Sequence, residues 1–279
     1  MATVCFRFDI DTHKCIRDGV PNLLKIAKKY QVPFTFFLNV GKSVNIIATI
    51  KEKFIDKVLY DNNVFMLSAR EKLGLFDYFF AAIINPNIIS YKKQIKALFN
   101  SNCEIGIHGG KNHSTWSANA LSWSHSKIKD EIKYAIEKIL KIIPDYKPYG
   151  FASPCWITPY NLPDILKSFD FLYYADFHML GSDNILQFEN NMPLIGVNLL
   201  GEGGGVAFWE NCRAQNMNTE KIHSIFVKFV NAHPITVVYD HSYYAGVREI
   251  ESLENIIEFL LNNGHNIIAM GDLLTKCKK

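Results

Sequence analysis

Short apolar runs alternate with segments of helical period along this chain, and that rhythm limits its fold more than any other feature of the sequence. In the first run Val4, Phe6 and Phe8 alternate with Cys5 and Arg7, the two-residue period of a strand, and the run ends in two carboxylates, Asp9 and Asp11. Val20, Leu23, Leu24 and Ala27 then recur at helical spacing, and PFTFFLN at 33–39 reads as a second strand. Such a strand, helix, strand crossover builds parallel sheets. Further strands are expected at 104–107 (EIGI), 149–152, 171–175 (FLYYA), 194–199 (LIGVNL), 235–239 (ITVVY) and 266–269. Helices are expected between them, the longest at 127–143 with Ile128, Ile132, Ala135, Ile136, Ile139, Leu140 and Ile143 on its buried side. About seven parallel strands alternating with helices predict an α/β fold, a distorted (β/α) barrel. No shift in composition marks a linker, so the expectation is one domain over 1–279.

Residues 42–100 break the rhythm. KFIDKVL, FMLSAREKLGLFDYFFAAIINPNIIS and KKQIKALF are rich in Phe, Tyr, Ile and Leu, and basic residues recur at 51, 53, 57, 70, 72, 92, 93 and 96. The stretch far exceeds an ordinary barrel connection. It reads either as helices packed on the barrel or as an amphipathic surface resting on an anionic membrane. No apolar run approaches the roughly 18 to 20 residues that span a bilayer, and the N-terminus enters a strand without the lead of a signal peptide. Six cysteines at 5, 15, 103, 155, 212 and 277 show no framework spacing, which fits reduced thiols and a cytoplasmic setting. A net charge of +3 with dispersed lysines gives no footprint for nucleic acid. GEGGG at 201–205 lacks a following P-loop lysine and reads as a flexible loop rather than a phosphate cradle.

In a parallel barrel the side chains that can share a site are those at the C-terminal ends of strands. Asp9, Asp11, His108, Pro154, Asp176 and His241 all fall there. Residues two apart in an extended chain point the same way, so both acids of DID can face one pocket, although an acid there can also simply cap the following helix. Two carboxylates with histidines from another strand end can hold a divalent metal and leave positions open for water and substrate. Hydrolysis of an amide or ester is the chemistry implied. His13, His125, His178, His223, His233 and His265 are read as ordinary surface or packed residues.

The stretches FRFDIDT, EIGIHGGKNH, GFASPCW with YYAD after it, and VVYDHSYYAG resemble, in order, the motifs of the polysaccharide deacetylase or NodB-homology family, the carbohydrate esterases of family 4. RDGVPNLL and the long insertion resemble the branch that deacylates amino sugars on undecaprenyl phosphate, the aminoarabinose deformylase and lipid-linked N-acetylhexosamine deacetylases. The resemblance implies Asp9 as catalytic base, Asp11 and His108 as metal ligands and His241 as general acid. It further implies an oxyanion-stabilising amide in the loop of Ser153, Pro154 and Trp156, an orienting role for Asp176, and a divalent metal, zinc first, with Mn2+, Co2+ or Ni2+ as alternatives. The implied partner is a polyprenyl-phosphate-linked amino sugar, reached by peripheral contact with the inner face of the cytoplasmic membrane, for modification of lipid A or another envelope glycolipid. The membrane-facing reading of 42–100 follows the same resemblance.

Two positions depart from the family pattern. The second motif histidine normally stands four residues after the first, where this chain has Asn112; His113, one further on, is the expected ligand, with Asn112 as the alternative. Ala152 replaces the arginine that holds the catalytic carboxylate, so Arg213 or Arg248 is expected to brace Asp9. The leading expectation is removal of an N-acetyl group from a lipid-linked N-acetylhexosamine. The alternatives are N-deformylation of lipid-linked 4-formamido-arabinose, metal-independent hydrolysis of a cyclic amide, and non-catalytic glycolipid binding.

Overall fold

The structure, a computed structural model, describes residues 1–45, 71, 74–177, 181–200 and 207–276. Its strands are β1 (Thr3–Ile10), β2 (Thr35–Leu38), β3 (Glu104–His108), β4 (Gly150–Ala152), β5 (Tyr173–Tyr174), β6 (Leu186–Glu189), β7 (Met192–Ile195), β8 (Ile235–His241) and β9 (Asn266–Ile267). They form one sheet in the order β6, β7, β5, β4, β3, β2, β1, β8, and β9 pairs with the first residues of β1 below the point where β2 joins it. Every pairing is parallel except β6 with β7. The expected α/β architecture, a curled and mostly parallel sheet, is borne out.

The β6–β7 hairpin is absent from the sequence-based expectation. Asn190 and Asn191 turn it with φ of 48° and 59°, the left-handed pair that a two-residue hairpin loop requires. The strand expected at 194–199 is correspondingly divided. After β7 the chain leaves regular pairing, and Leu199 bridges to Val238 of β8. Asn198 does the closing: its side chain accepts from Val237 N (2.8 Å) and donates to Ile235 O (2.9 Å), while Asn198 N and Leu199 N both reach Val237 O. An amide side chain thus supplies the ladder bonds that a regular strand would make, and the two sides of the curled sheet are joined.

The two-residue period of β1 sorts its side chains into two cores. Val4, Phe6 and Phe8 pack outward under the helices with Phe34, Phe36 and Phe226. Cys5 points inward to a smaller cluster that includes Phe37, Ala152, Tyr173, Val237 and Tyr239. The outer layer is built by α1 (Val20–Tyr30), α2 (Leu75–Ile83), α3 (Lys92–Phe99), α4 (His113–Asn119), α5 (His125–Leu140), α6 (Leu162–Lys167), α7 (Phe208–Ala214), α8 (Thr219–Ala232), α9 (Ile250–Asn262) and α10 (Leu273–Lys276).

Of the insertion, 46–70, 72 and 73 lie outside the described residues, as do the GEGGG loop and His178. Helix α2 presents Leu75, Phe76, Phe79 and Ile83 to solvent, with Phe76 and Ile83 about three-quarters exposed. Among the described residues no helix is long and apolar enough to cross a membrane.

Candidate active site

Strand register brings the polar residues to one level. Asp9 in β1 is paired with Phe37 of β2 on one side and with His241 of β8 on the other, and His108 ends β3 opposite Ala152. Just beyond, β1 leaves the sheet, and its carbonyls are taken up by side chains. Ser43 Oγ and Asn39 Nδ2 donate to Asp11 O, and Ser242 Oγ donates to Asp9 O. These bonds fix where the two carboxylates sit.

Asp11, His108 and His113 gather around one point, with a ligand atom of each within 4.8 Å of the others. His108 Nε2 lies 3.2 Å from Asp11 Oδ1, and His113 Nε2 lies 3.4 Å from Asp11 Oδ2. Asp11 Oδ1 and His113 Nε2 are buried and have no hydrogen-bond partner. Lone pairs on an acid and an imidazole left without hydrogen-bond partners within one such cluster are the arrangement an ion satisfies. His108 Nδ1 faces Ala152 O at 3.0 Å, which sets the tautomer that leaves Nε2 toward the carboxylates. Burial opposes the charge on Asp11, but His113 and His108 more than offset it and hold that carboxyl well below its usual range. Burial pushes His113 down to about 4, so it is a neutral imidazole at pH 7, the form that binds metal. His108 is moved the other way: Asp9 and Asp11 outweigh its burial and raise it.

The geometry separates Asn112 from His113. Asn112 is the N-cap of α4: its Oδ1 accepts from Thr115 N at 2.9 Å and its Nδ2 donates to Val44 O. Its amide oxygen is occupied by the helix it starts, and His113, one residue later, turns into the cluster. The loop before it is tightly packed. Gly109 has a φ of +71°, and a Cβ there would lie 2.6 Å from Pro154 Cγ; one at Gly41 would lie 2.1 Å from Lys111 O.

Asp9 is braced, but by neither of the expected arginines. Arg7, on the same strand and wholly buried, donates from Nε to Asp9 Oδ1 (2.9 Å) and from Nη2 to Asp9 Oδ2 (2.8 Å). Its third nitrogen donates to Ala175 O, and Trp156, Tyr239 and Phe37 enclose the guanidinium at 4.2, 4.9 and 4.8 Å from their ring centres. Arg213 instead forks onto Glu249, and Arg248 is exposed. The brace stands on β1, not at the β4 position of Ala152 where the family resemblance implies it. Its two-residue offset from Asp9 puts both groups on the interior face.

His241 Nε2 lies 3.1 Å from Asp11 Oδ2 and 3.2 Å from the Tyr239 hydroxyl, while Nδ1 faces buried Glu210 Oε1 at 2.7 Å. Glu210 had no part in the sequence reading. It is delivered by α7, whose first turn is held by Asp240: Oδ2 accepts from Trp209 N and Glu210 N, and Oδ1 from His241 N. Burial and the adjacent Glu210 push the Asp240 carboxyl well up. Glu210, Asp240 and His241 also lie close enough to hold an ion, but their oxygens accept from these amides and from the imidazole, so the group serves to orient His241.

The Ser153, Pro154 and Trp156 turn is held from below by Asp176. That carboxylate accepts from Ser153 N, Ser153 Oγ (2.6 Å) and Thr158 Oγ1 (3.0 Å). Its pKa is raised by burial, which the Ser153 bonds only partly offset. The amide of Ser153 donates to Asp176 and that of Trp156 to Ser153 O. The turn also lays Trp156 over Arg7, at the cost of left-handed φ at Cys155 (52°) and Trp156 (60°). Of the remaining histidines, His13 is packed rather than on the surface: it is buried and faces Asp77 of α2. His223 packs on Phe259, His233 faces Asp183, and His265 accepts from Ala2 N.

No family model matches the chain. Among curated proteins it is 25% identical over 284 residues to a Wigglesworthia glossinidia brevipalpis protein named "Probable 4-deoxy-4-formamido-L-arabinose-phosphoundecaprenol deformylase", covering 92% of this chain and 88% of that one. A Shewanella sediminis protein of the same name is 23% identical, covering 97% of this chain and 85% of that one. Among solved structures, a Mycobacterium smegmatis protein described as a polysaccharide deacetylase superposes with a TM-score of 0.61 at 15% identity, covering 98% of this chain and 88% of that one. The resemblance read from the motifs therefore holds in structure and in sequence: the chain has the fold of the polysaccharide deacetylases and, along nearly its whole length, is similar to proteins named as lipid-linked amino-sugar deformylases.

Proposed function

We propose that this chain is a metal-dependent hydrolase of the N-acyl group of an amino sugar carried on polyprenyl phosphate, with Asp11, His108 and His113 holding the ion. One observation carries the reading: Asp11, His108 and His113 bring their ligand atoms within 4.8 Å of one another, with Asp11 Oδ1 and His113 Nε2 lacking hydrogen-bond partners, beside a braced carboxylate, Asp9, and a carboxylate-bound imidazole, His241. The sequence reading leaned to an N-acetyl hexosamine. The names of the curated relatives favour the alternative, a formyl group on 4-amino-arabinose, and we adopt it.

A divalent ion in this site would act as a Lewis acid on the attacking water and on the acyl oxygen. Arg7 holds both oxygens of Asp9, which takes a proton from the water as its oxygen attacks the acyl carbon. Glu210 fixes His241 with Nδ1 toward itself and Nε2 toward the pocket. As the C–N bond breaks, His241 passes a proton to the departing nitrogen, and formate and a free amine result. The whole described chain serves this one site, which supports a single catalytic domain. The exposed aromatic helix α2 supports peripheral contact with the membrane that holds the lipid carrier.

The test is metal content together with release of formate and acetate from the two N-acyl forms of a polyprenyl-phosphate aminoarabinose, for wild type and His113→Ala. Formate release that needs the ion and is lost with it in the variant supports the reading. Acetate release alone returns the choice to the acetyl group. Turnover by metal-free protein, or none with metal bound, overturns it in favour of the metal-independent or non-catalytic readings.

A further inference from the structure

Three donors converge on one carboxylate beside the catalytic strand end, outside the cluster described above. Asp77 Oδ1 is 3.0 Å from His13 Nε2 and 3.3 Å from Arg17 Nη2, and Asp77 Oδ2 is 2.9 Å from Lys14 Nζ. His13, Lys14 and Arg17 all lie on the segment that follows Asp11. Lys14 Nζ also sits 4.4 Å from the ring centre of Tyr243, two residues beyond His241. The cluster therefore borders the pocket from both the β1 and the β8 side. Asp77, by contrast, belongs to the first turn of α2, the exposed aromatic helix of the insertion.

The geometry points to a phosphodiester subsite made by His13, Lys14 and Arg17, with Asp77 occupying it as a carboxylate stand-in. This inference rests on the lipid-linked reading above and names how the carrier is held. A phosphodiester has one negative charge spread over two unbridged oxygens, as a carboxylate has. Exchanging one for the other leaves the local charge unchanged and keeps a bond for each donor. A phosphomonoester or inorganic phosphate brings a second charge into a cluster where Arg17 is already shared with Asp18, at 2.6 and 2.7 Å. The helix supplies the other half of the match. Phe76, Phe79, Ile83 and Ile84 are exposed around and beyond Asp77, so hydrocarbon leaving a phosphate at this point meets an apolar track. Occupation by the carrier releases Asp77 and with it the tether between α2 and the mouth of the site.

Two measurements test this. Calorimetric binding of geranyl methyl phosphate, a phosphodiester probe, reads the subsite whether or not the protein turns over. Wild type is expected to bind it, Arg17→Gln to bind about 10- to 100-fold more weakly through loss of a charge-assisted contact, and Asp77→Asn more tightly than wild type. Absence of binding by wild type, or equal binding by wild type and Arg17→Gln, overturns the subsite. Affinity unchanged or weakened in Asp77→Asn overturns the stand-in, and inorganic phosphate binding as tightly as the diester overturns the assignment to a lipid carrier. The second measurement is the ratio of kcat/KM for the polyprenyl phosphodiester substrate to that for a methyl glycoside of the same N-formyl sugar. Arg17→Gln lowers this ratio about tenfold or more; an equal loss on both substrates overturns the proposal. Failure of wild type to release formate from either substrate while still binding the probe counts against the proposed reaction and not against the subsite.

Discussion

Arg7 and Asp9 show how far a single pair of side chains can relocate a function. Asp9 is deeply buried, and the fork of Arg7 meets both of its oxygens. Arg7→Met is expected to lower stability by about 3–5 kcal/mol, because it leaves a buried charge unpaired, and urea unfolding measures it. Arg7→Lys keeps the charge but loses the planar fork and the stacking on Trp156, so activity falls although the fold is retained. The signal for Arg7 was present in the sequence. The alternation that marks Val4, Phe6 and Phe8 as one face puts Cys5, Arg7 and Asp9 on the other. What the alternation does not say is which face lines the barrel interior. Glu210 had no such signal, because it lies thirty-one residues before His241 on a helix whose direction is set by Asp240. Glu210→Gln leaves Nδ1 of the imidazole without a charged partner, and kcat is expected to fall about 10- to 100-fold with little change in KM.

At the level of elements, the start of helix α4 decides which residue enters the candidate metal cluster. The motif spacing pointed to position 112 and the chemistry to a histidine, and the one-residue offset is resolved by capping. An asparagine is among the best N-caps, and a residue that caps cannot also turn its oxygen into the pocket. Asn112→Ala is expected to cost about 1 kcal/mol of stability and to weaken metal binding about 10-fold by loosening the helix that carries His113. His113→Ala is expected to remove metal binding while leaving the cap intact, and the two variants are told apart by metal titration with thermal unfolding. The Ser153 to Trp156 turn is a similar case. The family resemblance implies an oxyanion amide there; the structure adds that Asp176 holds the turn and that its left-handed backbone seats Trp156 on Arg7.

Across the whole molecule, the end of the barrel opposite the site carries its own titrating group. Glu104, at the start of β3, accepts from Tyr173 Oη and Gly271 N, and burial raises its pKa from an ordinary value of 4.5 to about 7. An acid whose folded pKa is raised is protonated in the native state while the unfolded chain has already lost its proton. Its contribution is complete below about pH 4.5 and is lost as pH rises toward 7. The loss is on the order of 3 kcal/mol. Glu104→Gln is expected to flatten that part of the stability profile, as read by unfolding at pH 5 and pH 8.

By itself the sequence determined the parallel α/β architecture, because the strand and helix periods are local properties of neighbouring residues. It also determined that Asp9, Asp11, His108 and His241 stand at strand ends, since strand boundaries are local too. The tertiary structure alone decided the partners: Arg7 rather than Arg213 or Arg248 for Asp9, Glu210 for His241, Asp77 for His13, and Asn198 to join the sides of the sheet. Apart from the Arg7 pair, whose two-residue offset is local and which needed only the choice of interior face, each of those contacts depends on register, helix direction or barrel curvature, which are set by packing between segments distant in the chain and leave no trace in local spacing.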